Sequence, residues 1–210
     1  GDGHAYIVVA NEISGTLSVI RLNFNIPPVR YNLQILHASD MEGGLDAPKD
    51  APNFAAVIDT LEGTYANTVI LSSGDNFIPS PFLSAGEDPS LTTPLRAATN
   101  LFYPGTHAVR AAIGRPDIAI LNLIGFNASV FGNHEFDLGT GELNSMIGVD
   151  IRSNGADKRW VGAQFPYLSA NLNFSADANL NYLVTADGQA DTAFRTPANI
   201  TANSQKKGIA

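Results

Sequence analysis

Three short clusters carry the chemistry of this chain: Asp40-Met41-Glu42, Gly74-Asp75-Asn76 and Gly132-Asn133-His134-Glu135-Phe136-Asp137. Carboxylates and amides dominate them, with one imidazole. Hard oxygen donors with little imidazole suit manganese, magnesium, calcium, iron or zinc rather than copper(I). An aspartate poised between two such cations can bridge them, as two-metal phosphoester hydrolysis requires. Taken singly, Asp40 and Asp75 would be ordinary turn or helix-capping residues. Three clusters in succession argue for more than that.

Each cluster follows an apolar run. Tyr31-Asn32-Leu33-Gln34-Ile35-Leu36-His37 reads as a first core strand, Thr68-Val69-Ile70-Leu71-Ser72-Ser73 as a second, and Asn127 to Phe131 as a third. Between the first two, Phe54, Val57, Ile58 and Leu61 recur at the spacing of an amphipathic helix that Gly63 can end. Strand, helix, strand is a right-handed βαβ unit, so the fold class is α/β. Ligands in such folds bind at the carboxyl ends of the strands, where the clusters stand. Further helices are expected over 95–101, over 107–113, from Pro116 with Ile118, Leu121, Leu123 and Ile124 as its apolar face, and over 142–147. Phe165 to Asn171 reads as a fourth strand, and the stretch beyond 172 as loop or weak strand. His37 reads as a hydrogen-bonded structural residue, His4 and His107 as surface or packing residues, and Asn76 and Asn171 as ties between loops.

Upstream, Ala5 to Ala10 and Thr16 to Leu22 form a hairpin across the turn residues Asn11 to Gly15. Two strands alone are marginal in water, so partners outside the chain are expected, and the hairpin loosely resembles the end of a β-propeller-like domain. Pro27-Pro28 places a linker at 25–30. The domain reading is therefore 1–24 hairpin, 25–30 linker and 31–210 the first part of the domain that carries the three clusters.

The 210 residues are 44% hydrophobic and carry a net charge of −8, which suits a buried core and disfavours a non-specific grip on nucleic acid. No apolar run is long enough to span a bilayer. There is no cysteine, which removes disulfides, thiolate metal sites and cysteine nucleophiles together. No signal peptide or initiator methionine is present, and we expect these residues to be an internal part of a longer protein.

In order and type, Leu33 to Asp40, Gly74-Asp75, Gly132 to Asp137 and Leu168-Ser169-Ala170-Asn171 resemble the calcineurin-like metallophosphoesterases, in particular the bacterial 5′-nucleotidase/UDP-sugar hydrolase branch. The resemblance covers residues 31–172 and implies an αββα sandwich, incomplete here, holding two divalent metal ions. Asp40 would ligate the first metal, Asp75 would bridge both, and Asn133 would ligate the second. His134 would face the substrate phosphate, oriented by Asp137, while a metal-bound hydroxide attacks phosphorus. The substrate class implied is a small phosphate ester such as a nucleotide, and the location periplasmic or extracellular.

Two departures stand out. Glu42 occupies a position where the family usually has histidine, which leaves it equally a metal ligand or a solvated loop carboxylate. No histidine follows His134, although the family takes further ligands downstream and holds the nucleoside with a C-terminal domain. These departures motivate an alternative: a non-catalytic binding or surface module on the same fold.

Overall fold

The computed structural model describes residues 5–11, 16–22, 31–42, 44–152, 157–184 and 208–209. Strands β1 (Ala5–Asn11) and β2 (Thr16–Leu22) form an antiparallel hairpin. β3 (Gln34–Ala38) leads through a 3₁₀ turn into helix α1 (Ala47–Glu62), and β4 (Thr68–Ser72) follows. Helices α2 (Pro81–Ala85), α3 (Thr92–Phe102) and α4 (Arg115–Ile124) precede β5 (Ala128–Val130). After it come α5 (Gly139–Ile147), the antiparallel pair β6 (Asp150–Arg152) and β7 (Asp157–Trp160), and β8 (Tyr167–Leu168).

The main sheet runs β2-β1-β3-β4-β5-β8. All its pairings beyond the hairpin are parallel, with Leu36 opposite Ile70 and Ser72 opposite Ser129. The α/β expectation is borne out. Parallel order brings the carboxyl ends of β3, β4 and β5 to one edge, side by side, and the three chemical clusters stand there. Asn127 starts β5 by copying a ladder rung: its N–H donates to Ile70 O at 2.8 Å, and its Oδ1 accepts from Ile70 N–H at 2.7 Å.

Helix α4 has neighbours on several sides, touching α1, α2, α3 and α5. Its Ile118, Leu121 and Ile124 are buried with Leu36 and Ile70 of the sheet and Ile58 of α1 in one apolar core. Burying side chains of that size contributes roughly 1.5–3 kcal/mol each before conformational entropy is subtracted. A second part of the core is aromatic. Phe131 stacks on Tyr167 at 4.8 Å and meets Phe136 and Phe174, each at 5.5 Å between centroids. Phe131 and Phe136 thus hold the 131–137 turn down on the sheet.

The hairpin departs from expectation. Its strands do not need partners outside the chain, because β1 pairs in parallel with β3, Ile7 opposite Ile35. The 25–30 linker lies outside the described residues. Helical spacing also misassigns two side chains, for Val57 and Leu123 are exposed at 42% and 49% while their neighbours Ile58 and Ile124 are buried. Segment 107–113 is irregular up to a turn at its end, not helical: Arg110 N–H donates to Arg159 O at 3.0 Å, and the buried His107 ring meets Tyr103 O at 2.7 Å. Tertiary partners took the backbone groups a helix would have used. Among the described residues no helix is long and apolar enough to cross a membrane.

Candidate active site

Asp40 and Asp75 end their strands in the same unusual way. Both adopt left-handed backbone angles, φ 54° and 50°, and they are the only non-glycine residues to do so among those described. Left-handed conformations cost a side-chain-bearing residue energy and gather at functional sites. The strain is held by pairing between the loops: Asp40 N–H donates to Gly74 O at 3.2 Å, and Met41 N–H to Asp75 O at 2.9 Å.

The β4 and β5 loops are locked more tightly. Oδ1 of Asp75 accepts the backbone N–H of His134 at 2.9 Å. Gly132 lies against the Asp75 carboxylate so closely that a Cβ there would overlap it, and a Cβ on Gly74 would overlap the backbone of Gly132. Glycine at both positions is what permits this approach. Beneath them sits Glu135, buried at 1% exposure. Its carboxylate accepts N–H bonds from Gly132 at 2.7 Å, Asn76 at 2.9 Å and Asp75 at 3.0 Å, and from the Asn76 amide at 3.0 Å. Burial pushes its pKa up and the three backbone donors oppose that, favouring the ionised form that can accept so many bonds.

His134 and Asp137 form the second half of the site. Nδ1 of His134 lies 2.6 Å from Oδ2 of Asp137, three residues on along a 3₁₀ turn. The bond to Asp137 is the largest cause of a raised His134 pKa, and the charges of Asp137, Asp75 and Glu42 add to it. The imidazole therefore lies within the field of Asp75 and Glu42. Holding Nδ1 in this way leaves Nε2 as the nitrogen available to a ligand. Asn133 is exposed at the start of that turn, with its carbonyl accepting Phe136 N–H at 3.2 Å.

The six residues singled out from sequence thus fall on three neighbouring strand ends. Direct hydrogen bonds join Asp75 to His134 and His134 to Asp137, and backbone bonds tie the Asp40 loop to Asp75. Asn133 is brought in by its place in the turn, and Glu42 by its field on His134. Among the described residues, no three His, Cys, Asp or Glu side chains come close enough to cage a metal. Asp40, Glu42 and Asp75 carry carboxylate oxygens of the kind that divalent cations take as ligands.

No family model and no solved structure matches the chain. Two curated relatives do. The uncharacterized protein in the pqq-V 5′ region of Acinetobacter calcoaceticus is 26% identical over 186 residues, covering 75% of this chain and 79% of that protein. The trifunctional nucleotide phosphoesterase protein YfkN of Bacillus subtilis (strain 168) is 23% identical over 156 residues, or 73% of this chain and 9% of that protein. The second relative is a nucleotide phosphoesterase. Most of this chain is thus similar to a small portion of a much longer phosphoesterase.

The sequence assigns Glu135 no role of its own and casts Asn76 as a tie between loops. The structure gives both a larger part. Asn76 is buried, accepts the Ser72 hydroxyl at 2.6 Å, and places its amide near Ser129 Oγ at 2.9 Å and Tyr167 Oη at 3.3 Å as well as Glu135. One signal existed in the sequence: an acidic residue inside an otherwise ligand-like motif whose partners must be donors. His37 behaves as read, bonding Ser73 Oγ at 2.6 Å across the β3 and β4 ends. Asn171 is exposed beside Ser169, 3.5 Å from its hydroxyl, and His4 lies outside the described residues.

Proposed function

We propose that this chain is the N-terminal part of a dinuclear metal-dependent phosphoesterase of the αββα metallophosphoesterase type, hydrolysing nucleotides or related phosphate monoesters. The observation that carries the reading is the convergence of strained Asp40 and Asp75 with the His134–Asp137 pair at three adjacent strand ends. Similarity to a nucleotide phosphoesterase supports it. Asp40, Asp75 and Asn133, with Glu42 as a further oxygen donor, would hold two divalent cations. Such cations polarise phosphoryl oxygens and acidify water.

The chain's own residues do the rest. His134, held through Nδ1 by Asp137, presents Nε2 to the ester and protonates the departing alcohol oxygen as its bond to phosphorus breaks. The left-handed turns fix the backbone at Asp40 and Asp75, and the His134 N–H holds the Asp75 carboxylate. Glu135 holds the β4 and β5 loops at the spacing the reaction needs. Further ligands and the substrate-binding domain would be supplied by sequence outside these residues. A periplasmic or extracellular location accompanies this reading and rests on the family resemblance alone.

The test is phosphate release from nucleoside monophosphates with manganese, in the full natural chain containing these residues. Asp75→Asn should abolish turnover through loss of metal, and His134→Ala should lower it about 10²–10⁴-fold with metal retained. Turnover unchanged in both variants ends the reading. One observation favours a non-catalytic module instead: no cage of three ligating side chains forms among the described residues. Absence of histidine-bearing segments downstream in the full chain, together with no turnover, would select it.

A further inference from the structure

Both hydrogen bonds that reach one oxygen of the Glu135 carboxylate come from a single residue. Oε1 accepts the backbone N–H of Asn76 at 2.9 Å and its side-chain amide at 3.0 Å. The other oxygen, Oε2, sits between the loops, accepting Asp75 N–H at 3.0 Å and Gly132 N–H at 2.7 Å. The terminal torsion of a glutamate has no sharply preferred angle of its own, so a grip on Oε1 also decides where Oε2 lies. Glu135 bridges the loops in the rotation that Asn76 gives it.

The amide of Asn76 is itself held in one orientation. Ser72 Oγ donates to Asn76 Oδ1 at 2.6 Å, and Gly74 N–H donates to the Ser72 hydroxyl at 3.1 Å. On its other side Asn76 Nδ2 donates to Ser129 Oγ at 2.9 Å, whose own proton goes to Val130 O at 3.0 Å. Asn76 and both serines are buried, so water does not replace a lost partner. A flipped amide would set its oxygen against the Glu135 carboxylate, acceptor on acceptor. The bonds therefore run in one direction, from Ser72 through Asn76 to Glu135, and end at the loops joined by Asp75 Oδ1 and the His134 N–H. We propose that Asn76 is a positioning residue of the strand-end site: by setting the rotation of Glu135, it sets the Asp75 carboxylate against the His134 segment. Ser72 acts at one remove, through the Asn76 oxygen.

Only the turnover part of the test rests on the phosphoesterase reading. Amide proton resonances of the chain are compared between the parent, Asn76→Ala and Ser72→Ala, with neither metal nor ester present. The His134 N–H reports its bond to Asp75, and the Asn127 N–H, bonded to Ile70 O at 2.8 Å, reports the strand pairing at the start of β5. Both variants should move the His134 and Gly132 N–H resonances upfield, as their bonds to carboxylates lengthen, and leave Asn127 in place. A purely structural role would displace all three together. Should Asn76→Ala fail to fold, Ser72→Ala, which removes one hydroxyl and keeps the amide, carries the comparison. In the full natural chain with manganese, Ser72→Ala should lower kcat about tenfold or more, with KM changed less than about twofold. An unmoved His134 resonance, equal movement at Asn127, or unchanged kcat in a folded variant overturns the proposal. A parent without turnover ends the phosphoesterase reading, and the resonances then decide the positioning alone.

Discussion

The backbone N–H of His134 donates to the side chain of Asp75 across 59 residues of chain, at 2.9 Å. One carboxylate thereby has two duties, positioning the imidazole segment with Oδ1 and, in the proposed reaction, sharing its charge between cations. Asp75→Asn keeps an Oδ1 acceptor and loses the charge. Calorimetry with manganese on the full natural chain should show affinity lower by about 100-fold or more, while circular dichroism stays that of the parent. Affinity within twofold of the parent would remove Asp75 from the metal site.

Glu135 is the carboxylate on which both loops depend. Glu135→Ala leaves three buried or half-buried backbone N–H groups without their acceptor. The expected loss is about 3 kcal/mol or more in urea unfolding, since each unsatisfied buried group costs about 1–3 kcal/mol. Glu135→Gln should not rescue it, because the amide turns donors toward donors. A loss below about 0.5 kcal/mol would show that the loops hold without the clamp.

His134 has a raised pKa, its bond to Asp137 being the largest cause. Protonation is therefore favoured in the folded state. The stabilising contribution is full below the ordinary histidine value of 6.5 and is lost as pH rises through the folded value. Proton-detected titration should place the His134 midpoint above 6.5 in the parent and lower in Asp137→Asn. In the proposed reaction the alkaline limb of kcat against pH should move down with it. An unmoved midpoint would separate Asp137 from the imidazole's chemistry.

Asp117 runs the opposite way from a salt-bridged aspartate. Burial raises it from 3.8 to about 7, so the fold favours the neutral acid. Between those values the folded chain binds the extra proton, and stability falls as pH rises from about 4 to about 7. Asp117→Asn removes that slope. Urea unfolding should find the variant more stable than the parent at pH 8, by no more than roughly 4 kcal/mol, and the two converging near pH 4. A constant difference between the two proteins at all pH values would contradict a buried, titrating Asp117.

What the sequence made legible was local. The apolar runs before Asp40, Asp75 and Gly132 are strands, the clusters are strand ends, and His134 with Asp137 falls on one turn because three residues separate them. The missing parts depend on distant partners. Nothing near Glu135 shows that its acceptors meet donors from residues 75 and 76, and nothing in Ala5 to Asn11 announces β3 as a parallel neighbour. Val57 and Leu123 fit a helical period yet face outward, because each apolar stripe is wider than the surface it packs on. Asp117 looked like any acidic residue in a first helical turn, and only its burial distinguishes it.

The shared clamp of Glu135 also sets when the site can exist. Its acceptors join segments about sixty positions apart, and closing a loop of that length precedes any reward from the bonds it permits. The 132–137 turn has local bonds of its own, but its junction with Asp75 and Asn76 cannot form on one strand alone. The carboxylates and the imidazole come into register only once β4 and β5 have zipped together, so the birth of the site marks a late event in folding.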